Sequence, residues 1–192
     1  MIAKIPYDSI SGLTPTQIQD FISDEPKYLV KEATVRDLLN ENMLKVSLHE
    51  FTDNGFCSRG IYMFFNLSGK PIYIGKTNTN FLQRLTTQLD TTPYPGWGWN
   101  SLLRILGGNR TGKHHDELSE DDHAIDLEGL LDHTLLLIDV PRNTVDSTRL
   151  TRLERTLQKT FKEIPENELL NSNTGLLRMH EWEMTIEQII NQ

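Results

Sequence analysis

The stretch that decides the fold is GIYMFFNLSGKPIYIGK, which runs from Gly60 to Lys76. Two apolar, aromatic-rich runs flank the turn dipeptide Ser68-Gly69, and this pattern predicts a β-hairpin. The register depends on the length of the loop. If Leu67 faces Lys70, a four-residue loop joins the strands, whereas a three-residue loop would move Tyr73 to the opposite face of the sheet.

The four-residue loop predicts a hairpin with two different faces. It places Tyr62 opposite Gly75 and Phe64 opposite Tyr73, so these four residues share one face and the two phenols are diagonal neighbours. A glycine across from Tyr62 leaves room for a close approach. The other face is wholly apolar and is the expected core side; it carries Ile61, Met63, Phe65, Ile72 and Ile74.

The chain before the hairpin is predicted to be helical. Thr14 and Gln17 form a capping box with Pro15 at the first helical position, which predicts a short helix carrying Ile18, Phe21 and Ile22. A second helix is expected around residues 33–43, and Asn54-Gly55 indicates a turn before the hairpin. We therefore expect residues 1–58 to form an N-terminal helical arm.

The chain after the hairpin alternates between helix and strand signals. A short helix with Leu102, Leu103 and Leu106 is expected to end at Gly107-Gly108, followed by a strand over residues 134–140 and a long helix over residues 146–163. These elements predict an α+β fold, in which helices flank a small, mainly antiparallel sheet. The expected divisions after the arm are a core at 59–175, with inserted aromatic and acidic loops, and a C-terminal helix at 176–192.

Composition limits the classes of protein to consider. The chain has 192 residues, 37% of them hydrophobic and 24% charged, which is typical of one globular domain. It contains no apolar run of about 18 residues and no apolar leader, so neither a membrane span nor a signal peptide is predicted. Cys57 is the only cysteine. A disulfide within the chain is therefore excluded, and a cytoplasmic location is expected.

The charges are strongly segregated along the chain, although the net charge is -8. Residues 60–113 carry six basic side chains against Asp90 alone, and residues 141–162 carry six against two acidic ones. The acidic excess lies elsewhere, above all in residues 116–128, which have seven carboxylates and no basic side chain. A polyanion could therefore approach one face, although ordinary solvated faces would give the same pattern.

The hairpin resembles the GIY-YIG nuclease family. The resemblance rests on Gly60-Ile61-Tyr62 and on Tyr73-Ile74-Gly75, and it extends over roughly residues 60–175. It also rests on an arginine in the following helix, Arg84, on a glutamate in a later helix, Glu154, and on an asparagine beyond it, Asn171, with Asn173 as the alternative. The resemblance implies metal-assisted cleavage of phosphodiester bonds.

The resemblance implies a role for each matching side chain. Glu154 would hold one Mg²⁺ or Mn²⁺ ion, and Arg84 would clamp the scissile phosphate with its planar guanidinium. Tyr62 would activate the attacking water, provided that the neighbouring cations Lys76 and Arg84 favour its phenolate form. Tyr73 would orient the water or the phosphate, and Asn171 would support the site from behind.

The position of Glu154 can be assessed without the resemblance. Leu150, Leu153, Leu157 and Phe161 form one stripe of the predicted helix, and Glu154 lies at the edge of that stripe. A carboxylate in such a place is costly unless it pairs with a cation. The alternatives are therefore a metal ligand and a buried ion pair with an arginine such as Arg84.

One position departs from the family pattern. Some relatives that resemble restriction endonucleases have a histidine one helical turn after the arginine, where this chain has Gln88. A histidine base is therefore not expected. The adjacent His114 and His115, followed by Asp116 and near His123, could form a zinc cluster, but histidines in a polar acidic loop are more often solvated.

These features predict a divalent-metal-dependent endonuclease for double-stranded DNA. Cleavage is expected to be site-specific, as in a type II restriction enzyme, and to need a homodimer or sequential nicking. The arm at 1–58 would then serve DNA recognition or dimerisation. The alternatives are a non-specific, repair or phage nuclease, an inactive DNA-binding or assembly module on the same core, and a protein whose tyrosine hairpin is only core. The basic side chains predicted to contact DNA are Lys70, Arg104, Arg110 and Lys113. Trp97 and Trp99 of the aromatic loop could also contact DNA, or they could pack in the core instead.

Overall fold

A computed structural model describes residues 2–23, 29–31, 35–36, 58–89, 101–164, 169–171 and 175–192. The protein is α+β, as predicted. The strands are β1 (Ile2–Pro6), β2 (Leu29–Lys31), β3 (Gly60–Phe65), β4 (Pro71–Thr77) and β5 (Thr134–Asp139). The helices are α1 (Asp8–Ser11), α2 (Pro15–Ser23), α3 (Phe81–Gln88), α4 (Ser101–Thr111), α5 (Glu120–Leu130), α6 (Ser147–Lys162) and α7 (Ile186–Ile190), with 3₁₀ turns at His115–Glu117 and Met179–Glu183.

The five strands form one mixed sheet in the order β2-β1-β5-β3-β4. Strands β1 and β5 are parallel, and the other three pairs are antiparallel. The sheet is therefore mainly antiparallel, as expected. Strand β4, which carries Tyr73, Gly75 and Lys76, stands at one edge of the sheet.

The hairpin has the predicted register, but its loop differs from the prediction. Tyr62 faces Gly75 and Phe64 faces Tyr73, but the backbone N–H of Asn66 donates to the carbonyl of Lys70 at 2.9 Å, so Leu67 does not face Lys70. The loop therefore consists of the three residues 67–69 instead of the expected four, 67–70. A β-bulge between Pro71 and Tyr73, opposite the Phe64/Phe65 step, restores the register.

The bulge also corrects one face assignment. Ile72, which was predicted to share the wholly apolar face, packs with Tyr62 and Tyr73 because the extra residue interrupts the alternation of side chains. Ile61, Met63, Phe65 and Ile74 pack on the predicted core side.

Both faces of the sheet are covered. One core lies between the sheet and α2, α6 and α7; it includes Ile18, Leu153, Leu157 and Ile189. The second core lies on the tyrosine face, where Phe81 and Leu85 of α3 and Leu102 of α4 cover the strands. The tyrosine face is therefore a second core rather than an open surface.

The N-terminal region differs from a purely helical arm. Its capping box is present, since Thr14 and Gln17 bond reciprocally at 2.9 and 3.4 Å. However, residues 2–6 form strand β1, which pairs with β5 and so belongs to the same sheet as the hairpin. This strand is an addition to the predicted arm, because residues 2–6 carry no clear strand pattern.

Two helix ends also differ from the predictions. Helix α4 continues through Gly107-Gly108 to Thr111, and Gly112, with a φ of 72°, ends it by donating to the carbonyl of Gly108. Gly107 instead allows close packing, because a Cβ there would overlap Asp126 and Leu118. The expected C-terminal helix at 176–192 is a 3₁₀ turn followed by the short helix α7.

Several predicted features lie outside the described residues: most of the helix at 33–43, the turn at 54–55, Cys57, the aromatic loop with Trp97 and Trp99, and Asn173. Across the described ranges, every helix is too short or too polar to traverse a lipid bilayer.

Candidate active site

The glycines of the two tripeptides are required by close packing at the hairpin. A Cβ at Gly75 would overlap the ring and hydroxyl of Tyr62, and a Cβ at Gly60, whose φ is 152°, would overlap the carbonyl of Ile138 on β5. The close approach predicted beside Gly75 is thus made by the Tyr62 ring itself. The two glycines therefore fix the position of this phenol against β4 and that of β3 against β5.

Four polar side chains converge on the tyrosine face. The rings of Tyr62 and Tyr73 stack with centroids 6.2 Å apart. Arg84 donates through Nε to the Tyr62 hydroxyl at 3.3 Å. Gln88 Nε2 donates to the hydroxyls of Tyr62 and Tyr73 at 3.1 and 3.4 Å. From the sequence, Gln88 was noted only because it replaces the histidine of the family pattern. Its four-residue spacing from Arg84 nevertheless predicts that both side chains lie on the same face of the helix.

Helix α3 brings Arg84 and Gln88 to the hairpin. Its N-cap is Asn80, whose side chain accepts the backbone N–H of Gln83 at 2.7 Å. Phe81 and Leu85 are fully buried and anchor the helix to the sheet. Arg84 lies off the stripe of apolar residues, and its side chain is half-buried against Tyr62.

The pKa of Tyr62 contradicts the predicted phenolate. Tyr62 has 0% exposure, and burial raises its pKa well above the usual tyrosine range. Tyr73 and Glu154 raise the pKa further, and the charge and hydrogen bond of Arg84 only partly offset them. Tyr62 is therefore a neutral phenol, because removal from water outweighs the neighbouring cation.

Glu154 approaches the site from the opposite side of the sheet. Helix α6 packs Leu150, Leu153 and Leu157 into the first core, and Glu154 is half-buried at the edge of that stripe, as predicted. Its charge acts on both Tyr62 and Arg84. Glu154 therefore acts electrostatically on the tyrosine cluster although its helix covers the other face of the sheet.

Within the described ranges, the carboxylate of Glu154 has no direct ionic partner. Burial raises its pKa, while the charges of Lys76, Arg84 and Arg155 and a backbone hydrogen bond from Lys76 lower it, with burial dominant. Among the described residues, no basic nitrogen lies within the 4.0 Å of an ion pair. The close ion pair with Arg84 that the sequence left open is therefore not formed.

Lys76 acts on Glu154 rather than on Tyr62. Its Nζ donates to the hydroxyl of Thr151, one turn before Glu154 on α6, at 2.6 Å. Lys76 is not among the groups that shift the pKa of Tyr62. Its expected contribution to a Tyr62 phenolate is therefore wrong, and its charge supports the carboxylate of Glu154 instead.

Asn171 holds the outer edge of β4. Its side-chain oxygen accepts the backbone N–H of Ile74 at 2.8 Å, and its Nδ2 donates to the Ile74 carbonyl at 2.9 Å. Gln158 of α6, which the sequence analysis did not name, donates to the same carbonyl at 3.0 Å. These contacts fix the strand between Tyr73 and Gly75, which agrees with a supporting role behind the site.

The chain matches no protein-family model, no curated protein and no solved structure. The resemblance to the GIY-YIG family therefore stays a prediction from the sequence motifs.

The cations predicted to bind DNA on and after α4 pair with acidic residues of the same chain. Arg104 contacts Asp116 at 3.0 Å, and Lys113 contacts Asp122 at 3.0 Å. Arg110 contacts Asp126 at 2.9 Å and Asp122 at 3.3 Å. The acidic segment at 116–128 therefore neutralises much of this basic region. Lys70 lies apart from it, at the hairpin loop.

The histidine cluster is exposed. Ligand atoms of His114, His115 and Asp116 lie within 4.8 Å of one another. The carboxylate of Asp116 already forms an ion pair with Arg104, so a side chain of the protein supplies the positive charge beside it. The carboxylate of Glu117 accepts the backbone N–H of His114 at 3.3 Å and so caps the 3₁₀ turn at this point.

Proposed function

We propose that the protein is a divalent-metal-dependent endonuclease that hydrolyses phosphodiester bonds in double-stranded DNA. The observation that carries the proposal is the grouping of Tyr62, Tyr73 and Arg84 in one hydrogen-bonded cluster, within electrostatic reach of Glu154. Hydroxyl groups, one guanidinium and one carboxylate are the side chains that positioning and charge stabilisation of a phosphodiester require.

Arg84 suits the role of a phosphate clamp. Its Nε is oriented by Tyr62, and its terminal nitrogens make no hydrogen bond within the described part of the chain. The guanidinium is half-buried; burial by itself lowers its pKa and the charge of Glu154 raises it, and an arginine stays charged at any ordinary pH. A planar cation fixed at one end can bind two phosphate oxygens with the other.

Glu154 suits the role of a metal ligand. It is half-buried, its pKa is raised, and it lacks a close ionic partner in the described residues, so a hard cation would supply the charge it lacks. One protein carboxylate is enough for Mg²⁺ or Mn²⁺ when water and phosphate provide the other ligands. When bound, the ion would supply positive charge at the phosphoryl oxygens and lower the pKa of nearby water.

Tyr62 then acts as a neutral hydroxyl group. Because it is fully buried and its pKa is raised, we assign it to orienting Arg84 for the phosphate rather than to removal of a proton. Tyr73 would orient the attacking water or the phosphate from the neighbouring strand. This assignment differs from the phenolate base that the sequence suggested.

Three further features belong to the proposal. Site-specific cleavage like that of a type II restriction enzyme would need contacts beyond the hairpin core. Cleavage of both strands by one site per chain would need a homodimer or two successive nicks. Activity in the cytoplasm is consistent with the single Cys57.

The test uses supercoiled plasmid with Mg²⁺ or Mn²⁺. Glu154→Ala should abolish nicking and leave DNA affinity largely intact, because the carboxylate serves the metal rather than the DNA. Glu183→Ala, which changes an exposed glutamate, is the control and should cleave normally. Equal loss of cleavage and affinity in Glu154→Ala would mark the residue as structural and contradict the proposal.

The complete burial of Tyr62 favours a second candidate, an inactive DNA-binding or assembly module on the same core. The plasmid assay also separates these functions. A wild-type protein that binds duplex DNA but does not nick it with either metal would support the module. Metal-dependent nicking that is lost in Glu154→Ala would exclude it.

A further inference from the structure

Gln88 lies at the centre of the tyrosine cluster. It is the last residue of α3, one turn after Arg84, and its side chain has 0% exposure. Its Nε2 lies 3.1 Å from the Tyr62 hydroxyl and 3.4 Å from the Tyr73 hydroxyl. The only other described side chain that donates to either hydroxyl is that of Arg84.

The backbone determines which end of the Gln88 amide faces the tyrosines. The backbone N–H of Leu102, at the start of α4, points at Gln88 Oε1 over 3.4 Å. A backbone N–H can only donate, so the atom opposite it must be the amide oxygen. The NH₂ group therefore faces the two hydroxyls, and it has two hydrogens for two acceptors.

This orientation restricts the hydroxyl protons. Each phenolic oxygen accepts a hydrogen bond from Gln88, and that of Tyr62 accepts a second one from Arg84. An oxygen that accepts two N–H groups has to direct its own proton elsewhere. Both tyrosines thus have their O–H groups turned away from the amide.

We propose that Gln88 is a positioning residue that sets the direction of both tyrosine hydroxyls for the reaction on the phosphate. The inference rests on the proposed nuclease function. A glutamine amide neither gains nor loses a charge at ordinary pH, so Gln88 contributes geometry rather than acid or base chemistry. It also connects α3, α4 and both hairpin strands at a single buried point.

The first test is spectroscopic and needs no activity. In wild-type protein labelled with ¹⁵N, the two side-chain amide protons of Gln88 should be well separated and slow to exchange with water. Tyr62→Phe should shift one of these resonances and Tyr73→Phe the other, because each removes one acceptor. Resonances that respond to neither variant would overturn the proposal, whatever the protein does to DNA.

The second test is kinetic. Gln88→Met keeps the length of the side chain and removes both donors. It should lower kcat by about 10- to 100-fold while KM stays close to the wild-type value, as expected when reacting groups lose alignment. Gln83→Met, on the exposed side of the same helix, is the matched control and should keep the wild-type kcat.

The outcomes separate this inference from the proposed function. Folded Gln88→Met protein with wild-type kcat would refute the positioning role while leaving the nuclease proposal intact. A wild-type protein without metal-dependent cleavage would refute the nuclease proposal and with it the role in the reaction, even if the amide resonances respond to both phenylalanine variants. Loss of folding in Gln88→Met leaves the spectroscopic test as the decisive one.

Discussion

At the scale of single residues, the burial that suits Glu154 to bind a metal ion also lowers the stability of the folded protein. Its carboxylate is half-buried on α6, and burial raises its pKa in spite of three neighbouring cations. The folded protein therefore holds the proton of Glu154 more tightly than the unfolded chain does. Ionising this group at neutral pH costs folding free energy, and a bound cation would recover part of that cost.

Glu154→Gln should therefore stabilise the protein without metal. We expect a rise in Tm of about 2–4 °C at pH 7, which corresponds to roughly 1 kcal/mol for a domain of this size. The difference should shrink as the pH falls through the raised pKa of Glu154, because protonation removes the same cost from the wild type. Thermal unfolding between pH 4 and pH 8 measures it.

Added Mg²⁺ provides the complementary measurement on the same pair of proteins. It should raise the Tm of the wild type and leave that of Glu154→Gln unchanged. Glu183→Gln, at an exposed position, controls for general charge effects. A Glu154→Gln protein that is less stable than the wild type at pH 7 would show that the carboxylate is favourably paired.

At the scale of secondary-structure elements, the hairpin shows what the sequence could determine. Alternation of aromatic and aliphatic residues predicted that Tyr62 faces Gly75, and this pairing is present. The shorter loop and its compensating bulge were not predictable from alternation. They depend on the Asn66 side chain, which accepts the backbone N–H groups of Ser68 and Lys70.

The strength of local signals explains the other elements in the same way. The long helix was predictable because Leu150, Leu153 and Leu157 recur at helical spacing after the N-cap Asp146. Strand β1 was not, because its five residues carry little pattern and its pairing with β5 spans more than a hundred positions. Motif matching named Tyr62, Arg84 and Glu154, but only the packing of α3 shows the contacts of Gln88.

The outer edge of β4 should depend on Asn171. In Asn171→Ala the backbone N–H of Ile74 loses its acceptor, whereas the Ile74 carbonyl keeps Gln158. We expect a loss of about 1–3 kcal/mol in unfolding free energy, the usual cost of an unsatisfied buried donor. Hydrogen exchange at the Ile74 amide should accelerate, and denaturant unfolding measures the free energy.

Asn171→Asp separates the two hydrogen bonds at this edge. An aspartate accepts the N–H of Ile74 but does not donate to its carbonyl when ionised, so protection of the Ile74 amide should largely persist. Asn109→Ala, at an exposed position on α4, is the control. Unchanged exchange at Ile74 in Asn171→Ala would show that the strand edge does not need this side chain.

At the scale of the whole molecule, the two basic regions have different surroundings. The cations on and after α4 are paired with the acidic segment at 116–128. The basic side chains of α6 include Arg155, which is exposed, and its charge reaches Glu154. In a chain with a net charge of -8, we therefore expect DNA to approach over α6 and the edge of β4.

Arg155→Ala and Arg104→Ala form a matched test of this direction of approach. Arg155→Ala should weaken binding to a DNA duplex and reduce the slope of log K against log salt by about 1, because one phosphate contact is lost. Arg104→Ala should have little effect on either quantity, since Asp116 already neutralises Arg104. Fluorescence anisotropy over a series of salt concentrations, with catalysis blocked by Glu154→Ala, measures both. If Arg104→Ala reduced the slope and Arg155→Ala did not, DNA would instead approach over α4, and the pairing with the acidic segment would have to open on binding.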